Sequence, residues 1–174
     1  MATKILFKKL REEAIMPSRV TDGSAGYDAL IPCDYAPVKG RQIIPLGFAI
    51  AMPKTLALDS RTRSGYAAKG ILCYDNQGNE YRMDADVILG LIDSDYRNEV
   101  GIILNVHDAF AYPTKETIKN TGSDWNMHIN GVHFKRGQAL AQFKFCVVPE
   151  TEFEEVDELD ETDRIGGFGK QNGE

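Results

Sequence analysis

The stretch Gly90-Leu91-Ile92-Asp93-Ser94-Asp95-Tyr96-Arg97-Asn98-Glu99-Val100 places two aspartates and a tyrosine between apolar segments. Residues 87–92 and 100–106 are predicted strands, so the polar residues between them form the tip of a hairpin. Functional groups are commonly displayed at such tips because the strands hold them rigidly. The carboxylate of Asp93 could act there as a general base, although an ordinary solvated hairpin would have the same composition.

The rest of the chain predicts an all-β fold with one short helix. Apolar runs are short and are separated by Gly, Pro, Asn and Asp at the spacing typical of a sandwich or barrel. Residues 42–52 and 139–148 are two further candidate strands. In the second strand Gln142 and Lys144 share the face where a ligand could meet them, unless Gln142 is simply solvated. The opposite, core-facing residues are Ala139, Ala141, Phe143, Phe145 and Val147.

Composition limits the class of protein. The chain of 174 residues, 43% apolar and 26% charged, suits a single soluble globular domain. A formal net charge of −6 argues against a general nucleic-acid surface, but a small anionic ligand could bind where a few basic groups converge. The three cysteines are widely separated and indicate neither a disulfide framework nor a thiolate metal site. Because no signal peptide or membrane span is evident, we expect a cytoplasmic protein with no membrane partner.

A short helix is predicted over residues 64–70, with Ser64 as its N-cap and Gly70 as its C-terminal stop. Its first turn would present free backbone N–H groups beside the permanent positive charge of Arg63. Arg63, Ser64 and Gly65 are therefore a candidate phosphate site. Ser-Gly is also common at helix starts for purely structural reasons.

Two other segments have candidate functional residues. Asp28 follows a turn-rich segment and would either assist a metal ion or bond its own backbone. The glycine-rich residues 166–173 include Phe168, with Arg164 before them and Lys170 among them. Such a tail is either disordered or a closing lid, which would use its cations for phosphate and its ring to stack on a base.

In their order along the chain, these motifs resemble those of the homotrimeric dUTP pyrophosphatases (dUTPases). Five motifs spread over nearly the whole chain support the resemblance: Ala25-Gly26-Tyr27-Asp28, Arg63-Ser64-Gly65-Tyr66-Ala67-Ala68-Lys69, Gly90-Leu91-Ile92-Asp93-Ser94-Asp95-Tyr96-Arg97, Gly137-Gln138-Ala139-Leu140-Ala141-Gln142-Phe143, and Arg164 followed by Gly166-Gly167-Phe168-Gly169. The resemblance implies a distorted jelly-roll-like β-barrel over residues 1–155 and a C-terminal arm, residues 156–174, that closes over an active site. Thr62 stands where a proline is common in the family, and Gln138 where a basic residue is common.

The resemblance implies hydrolysis of dUTP to dUMP and pyrophosphate. Asp93 matches the aspartate that directs a water molecule at the α-phosphorus. Tyr96 matches the residue that lies against the deoxyribose and leaves no room for a 2′-hydroxyl. Uracil would be recognised by backbone groups, which map to Val87, Leu91, Ile92, Asp93 and Gly101.

The same resemblance assigns the phosphate contacts. The triphosphate would be held by Arg63, Ser64, Gly65 and Gln142. Asp28 would contact a chelated Mg²⁺ ion through water. In the arm, Arg164 would approach the γ-phosphate and Phe168 would stack on uracil, while Gly169 and Lys170 would be further substrate contacts.

Family members have active sites between subunits, so a homotrimer is implied. The chain also has two insertions relative to the family, about ten residues near 74–85 and about twenty near 109–132. Residues 76–79 resemble a hairpin turn. His128 and His133 are interpreted as surface or packing residues. Because some phage-encoded dUTPases have an added segment at the second position, a phage origin and a protein partner at 109–132 are hypotheses.

Two other functions remain open. The related dCTP deaminases share the fold, but they have a glutamate on the strand after the hairpin, where Gly101-Ile102-Ile103-Leu104 has no acid. A nucleotide-gated interaction protein could use the same pocket without catalysis. Retention of Asp93, Tyr96 and Arg63 favours an enzyme.

Overall fold

The computed structural model describes residues 2–160, which form eleven β-strands, two short α-helices and one 3-10 helix. The strands are β1 (Leu6–Lys9), β2 (Tyr27–Leu30), β3 (Gly40–Pro45), β4 (Phe48–Ala51), β5 (Leu56–Thr62), β6 (Ile71–Tyr74), β7 (Glu80–Val87), β8 (Gly90–Ile92), β9 (Gly101–Pro113), β10 (Met127–His128) and β11 (Ala139–Val147). The helices are α1 (Ser64–Lys69) and α2 (Lys115–Thr121), and the 3-10 helix spans Ile129–Gly131. The all-β prediction is confirmed. Among residues 2–160, no helix has the length and apolar character that a membrane crossing requires.

The strands pair antiparallel in three sheets that enclose one apolar core. The largest sheet has the order β10-β9-β7-β6, and β3 pairs with the first part of β9. The second has the order β2-β11-β5-β8, and the third joins β1 to β4. Alternate residues of β7 are buried because successive side chains point to opposite faces of a strand. Phe48, Phe134 and Phe143 are the largest fully buried side chains in this core.

The predicted hairpin around Asp93 is not a hairpin. Val87 still pairs with Leu104, and the Ile88 N–H donates to the carbonyl of Ile103 at 2.8 Å. Beyond Ile88 the chain crosses to the other sheet, where β8 pairs with β5. The prediction was wrong because two consecutive strands were assumed to pair with each other. Their separation opens a cleft between β8 and β9.

The predicted strand 42–52 is also two strands. The break falls at Gly47, whose φ of 76° lies in the left-handed region that favours glycine. As a result β3 pairs with β9, while β4 turns to pair with β1. A Cβ atom at Gly47 would lie 3.3 Å from the Cβ of Ala14, so the close approach of the N-terminal loop also favours glycine here.

The strand predicted at 139–148 is confirmed as β11, but Val147 does not face the core. Its side chain is 79% exposed. β2 covers β11 only from Ala139 to Phe143, so the end of the strand extends past the core. Phe145 is half-buried and makes an edge-to-face contact with Tyr27, with ring centroids 5.7 Å apart.

The helix predicted at 64–70 is confirmed as α1, with one correction. Its N-cap is Arg63 instead of Ser64, and no side chain caps the first turn. Gly70 ends the helix as predicted, with a φ of 79°. A Cβ atom there would lie 2.8 Å from the carbonyl oxygen of Met83, so the end of α1 packs directly against β7.

The two insertions have different structures. Residues 75–79 form the turn of the β6–β7 hairpin, as predicted, with Gly78 at a φ of 86°. Residues 109–132, interpreted above as the second insertion, contain α2, which was not predicted from the sequence. Its signals are local: the Thr114 hydroxyl accepts a hydrogen bond from the Thr117 N–H, and Gly122 is left-handed.

Candidate active site

The first pocket is the cleft between β8 and β9, with a volume of about 260 Å³. It is lined by Ile43, Ser60, Ile88, Gly90, Leu91, Ile92, Asp93, Tyr96, Glu99, Val100, Gly101 and Ile103. β8 ends the order of its sheet, so in residues 2–160 only one of its backbone edges pairs with a strand. Its other edge is available to hydrogen-bond a planar ligand in the manner of strand pairing.

Ser60 lines this cleft and has an unsatisfied hydroxyl. The residue is only 4% exposed, and its Oγ has no hydrogen-bond partner within residues 2–160. A buried polar group normally has a partner because desolvation is costly. The hydroxyl is therefore available to a bound group or to water. No motif pointed to Ser60 in the sequence.

Asp93 and Tyr96 both line the cleft and belong to one turn. The Tyr96 N–H donates to the Asp93 carbonyl at 3.2 Å. The Tyr96 hydroxyl donates to the carbonyl of Glu99 at 2.9 Å, which holds the ring in place. The Asp93 side chain is exposed, so its carboxylate can reach a water molecule or a substrate.

Glu99 anchors this turn to the rest of the fold. Its carboxylate accepts the Gly47 N–H at 2.8 Å and pairs with the Arg11 guanidinium at 3.1 Å. These contacts connect the turn to the β3–β4 loop and to the N-terminal loop. Glu99 could not be identified from the sequence because its partners, Gly47 and Arg11, are distant in the chain.

Of two residues predicted to bind the base, Gly101 lies in the cleft and Val87 does not. Gly101 lines the cleft, and a Cβ atom there would lie 2.7 Å from Cγ2 of Ile43. Val87 is not among the lining residues. Its N–H and its carbonyl are both hydrogen-bonded to the Thr62 hydroxyl, at 3.1 and 2.9 Å, so this backbone is occupied within the protein.

The second pocket lies beside α1 and has a volume of about 240 Å³. We call it the α1 pocket. It is lined by Arg63, Ser64, Gly65, Tyr66, Lys69, Arg82 and Gln142. Four of the predicted phosphate ligands are therefore brought together, and its three cations and polar lining suit an anion. Lys69 and Arg82 were not predicted to contribute.

Asp28 lies beside the α1 pocket through two contacts. Its carboxylate pairs with Arg63 at 3.3 Å and accepts a hydrogen bond from Gln142 at 3.4 Å. Gln142 lies directly opposite Asp28 in the β2–β11 pairing, which explains why these two predicted residues meet. The predicted cluster of Asp28, Arg63 and Gln142 thus exists in the structure.

The two pockets have no lining residue in common. The predicted arm residues Arg164, Phe168, Gly169 and Lys170 lie outside the described residues. The described part of one chain therefore presents two partial sites, one with an open backbone edge and a carboxylate, the other with cations.

Thiol and metal-cluster chemistry find no support in the described region. Cys73 is buried, and burial raises the pKa of its thiol to about 12. It is therefore protonated at neutral pH and unreactive. Residues 2–160 contain no group of three or more His, Cys, Asp or Glu side chains placed to hold a metal ion. The described lining of the two pockets includes the carboxylates of Asp93 and Glu99 in the cleft and three cations beside α1.

These features define a β-barrel-like protein with a cleft for a planar group and a separate cationic pocket for an anion, as a nucleotide enzyme would require. Comparison with known proteins gives the family. Residues 12–118 match the dUTPase family model. The deoxyuridine 5'-triphosphate nucleotidohydrolase of Arabidopsis thaliana is 34% identical over 164 residues, which are 93% of this chain and 79% of that protein. The chain belongs to the dUTPase family.

A further relative supports membership of this family, and a solved structure supports the fold. The deoxyuridine 5'-triphosphate nucleotidohydrolase of Hydrogenobaculum sp. is 32% identical, with 95% of this chain and 96% of that protein covered. The structure of the Staphylococcus bacteriophage 80alpha dUTPase, solved with dUPNHPP, has a TM-score of 0.72 at 21% identity. It covers 97% of this chain and 98% of its own. This likeness confirms the predicted dUTPase fold.

Proposed function

We propose that the protein hydrolyses dUTP to dUMP and pyrophosphate, with uracil in the β8–β9 cleft and the triphosphate in the α1 pocket. The main support is that this chain, a member of the dUTPase family, has one pocket with an open strand edge and another with three cations. Each pocket matches one half of a nucleotide: the first is narrow and rich in backbone groups, the second is polar and cationic.

Uracil selection would depend on the free backbone edge of β8, at Leu91 and Ile92. A fixed donor and acceptor pattern favours uracil, because cytosine presents the opposite pattern and would leave polar groups unpaired. Gly101 and Ile103 form the opposing wall, where the thymine methyl would be crowded. The ring of Tyr96 would lie against the sugar and exclude a ribose hydroxyl.

Asp93 would take a proton from the attacking water as that water approaches the α-phosphorus. A carboxylate at the cleft mouth can both orient the water and accept its proton. Arg63, Ser64, Gly65 and Gln142 would hold and orient the phosphates. Arg164, Phe168, Gly169 and Lys170 of the 156–174 arm are the predicted cover that would exclude bulk water.

The donor set near the α1 pocket fits a Mg²⁺ ion brought in by the substrate. Asp28 contributes one carboxylate, and this cation is commonly held by one or two carboxylates together with substrate phosphates and water. When bound, the ion would neutralise charge that develops on the phosphates. Asp28 would contact it through water, and Arg63 and Gln142 would fix the position of that carboxylate.

We further propose a homotrimer in which Asp93 of one subunit faces Arg63 of a neighbour. The two partial sites of one chain share no lining residue, and in this trimer a neighbouring copy would bring the second half to each of them. Mixing tests this directly. Asp93→Asn and Arg63→Gln subunits should each be inactive, and refolding them together should restore turnover. If the mixture stays inactive while both variants form trimers, the shared site is wrong.

The central test of the activity is pyrophosphate release from dUTP by wild type, Asp93→Asn and Asp95→Asn. Asp93→Asn should lower kcat by about 10²- to 10⁴-fold, since the base is lost, while the affinity for a non-hydrolysable dUTP analogue is retained. Asp95 does not line the cleft, so Asp95→Asn is the matched control and should stay active. Ammonia release from dCTP, with no pyrophosphate from dUTP, would establish the deaminase alternative instead.

The insertion at 109–132 is a proposed protein-binding surface. Its exposed large side chains are Phe110, Tyr112, Ile118 and Trp125, and Trp125 is 81% exposed. Replacing residues 122–126 with a short Gly-Ser linker should spare dUTP turnover and abolish a complex that the wild type forms with a purified host protein. Loss of turnover instead would show that the insertion is structural. A phage origin remains a hypothesis.

A further inference from the structure

The α1 pocket contains a cation that the dUTPase motifs do not supply. Its lining includes Arg63, Lys69 and Arg82, and no Asp or Glu is part of that lining. The chain as a whole is acidic, with 26 Asp and Glu against 20 Lys and Arg. Convergence of three cations in one open pocket is therefore a local feature that indicates an anionic ligand.

Arg82 reaches this pocket from the β6–β7 hairpin, within residues 74–85, which are interpreted as the first of the two insertions. Leu72 lies opposite Arg82 in the hairpin, so β6 connects the end of α1 directly to this position. The close contact between Gly70 and the Met83 carbonyl leaves no room for a side chain at Gly70. The hairpin is thus held tightly against α1, and Arg82 is placed on the pocket wall.

A hydrogen bond fixes the head of Arg82. Its Nη1 donates to the Gly70 carbonyl at 3.1 Å. Among residues 2–160, this is the one hydrogen bond that the several N–H donors of the guanidinium make. The remaining donors stay available to a ligand, and the orientation of the group is set before binding, which reduces the entropy cost of a new contact.

The charge of Arg82 is not neutralised by an ion pair. Within residues 2–160, Arg63 pairs with Asp28 and Arg61 pairs with Asp59, whereas neither Arg82 nor Lys69 pairs with a carboxylate. Glu80 and Asp84 flank Arg82 on the same face of β7, but they too form no ion pair with it. A part-buried guanidinium with free donors is well matched to phosphate oxygens.

We propose that Arg82 is a further substrate-binding residue, which holds the polyphosphate end of dUTP on the wall of the α1 pocket. This inference rests on the proposed function. The inserted hairpin would then be part of the substrate site, and it would strengthen binding of dUTP and pyrophosphate more than binding of dUMP.

The test compares wild type with Arg82→Gln, Arg82→Lys and the control Arg41→Gln. Arg41 is exposed on β3 and lines neither pocket. Arg82→Gln should raise KM for dUTP about tenfold and weaken inhibition by inorganic pyrophosphate by a similar factor. Inhibition by dUMP should change little. Arg82→Lys keeps the charge, so its KM for dUTP and its inhibition by pyrophosphate should lie between those of wild type and Arg82→Gln. Arg41→Gln should behave as wild type.

Two outcomes would overturn the proposal. Unchanged pyrophosphate inhibition in a folded Arg82→Gln protein would remove Arg82 from the site. Equal weakening of dUMP and pyrophosphate would mean that Arg82 only supports α1. If Arg82→Gln does not fold, the same comparison applies to Arg82→Lys. If wild type releases no pyrophosphate from dUTP, the proposed function fails. The role of Arg82 is then decided by calorimetry, which compares the binding of inorganic pyrophosphate to wild type and to Arg82→Gln.

Discussion

Glu99 accepts a hydrogen bond from the backbone N–H of Gly47, 2.8 Å away, and thereby joins the turn that contains Asp93 to the loop between β3 and β4. Glu99→Ala would leave the N–H of a buried glycine without a partner, which costs about 1–3 kcal/mol of unfolding free energy. Because the turn also positions Tyr96, kcat/KM for dUTP should fall as well. Urea unfolding and steady-state kinetics measure the two effects.

Arg11→Ala is the matched control for this anchor. It removes the exposed ion pair with Glu99 and leaves the Gly47 contact in place. An exposed ion pair contributes only about 0–1 kcal/mol, so this variant should be close to wild type in stability and in kcat/KM. If Arg11→Ala is as damaging as Glu99→Ala, the Gly47 contact is not the anchor.

Thr62, the last residue of β5, connects β5 to β7 through its side chain, since its hydroxyl bonds both backbone groups of Val87. Thr62→Val keeps the shape but leaves two part-buried polar groups unsatisfied. We expect a loss of about 1–3 kcal/mol in unfolding free energy. Thr62→Ser retains the hydroxyl and should be nearly as stable as wild type. Equal stability of the Val and Ser variants would show that the hydroxyl contributes nothing.

Tyr96 tests the proposed exclusion of ribose. Tyr96→Ala should lower the ratio of kcat/KM for dUTP to that for UTP by about 10- to 100-fold, because the ring no longer occupies the space of a 2′-hydroxyl. Tyr96→Phe loses the hydrogen bond to Glu99 but keeps the ring, so most of the selectivity should remain. A ratio that is unchanged in Tyr96→Ala would place sugar selection elsewhere.

Local signals predicted much of this molecule. Alternation identified β11, and Gly70 identified the end of α1, because both patterns depend on neighbours in the chain. Arg63 and Gln142, which the motifs assign to phosphate binding, line one pocket in the structure. The predicted N-cap was wrong by one residue, since Arg63 has the extended backbone of an N-cap and Ser64 is already helical.

Features that depend on distant partners could not be predicted. The crossing of β8 to β5 follows from how the two sheets fit together, and no pattern within residues 87–106 encodes it. Arg82 reaches its pocket only because β6 and β7 pair in one register and because Gly70 packs against Met83. Glu99 was equally hidden, since its contacts to Arg11 and Gly47 come from loops far away in sequence.

Asp75 makes the stability of the inserted hairpin depend on pH. Burial raises the pKa of its carboxyl, but hydrogen bonds from the Asn79 side chain and from backbone N–H groups outweigh this effect, so the pKa lies below its ordinary value of 3.8. The carboxylate accepts from the N–H groups of Gln77 and Asn79, each at 2.9 Å. A lowered pKa means that the stabilisation is present above the unfolded pKa and is lost as the pH falls through the folded value.

Asp75→Asn should therefore be less stable than wild type by about 1–2 kcal/mol near neutral pH, because charge-assisted hydrogen bonds become neutral ones. The difference should shrink as the pH falls from the unfolded pKa of about 3.8 through the lower folded value, where the carboxyl of the folded wild type becomes protonated. Urea unfolding of both proteins across this range measures it, with Asp124→Asn as an exposed control for the loss of one charge. A difference that stays constant with pH would mean that the hairpin is stabilised by the shape of the Asp75 side chain and not by its charge.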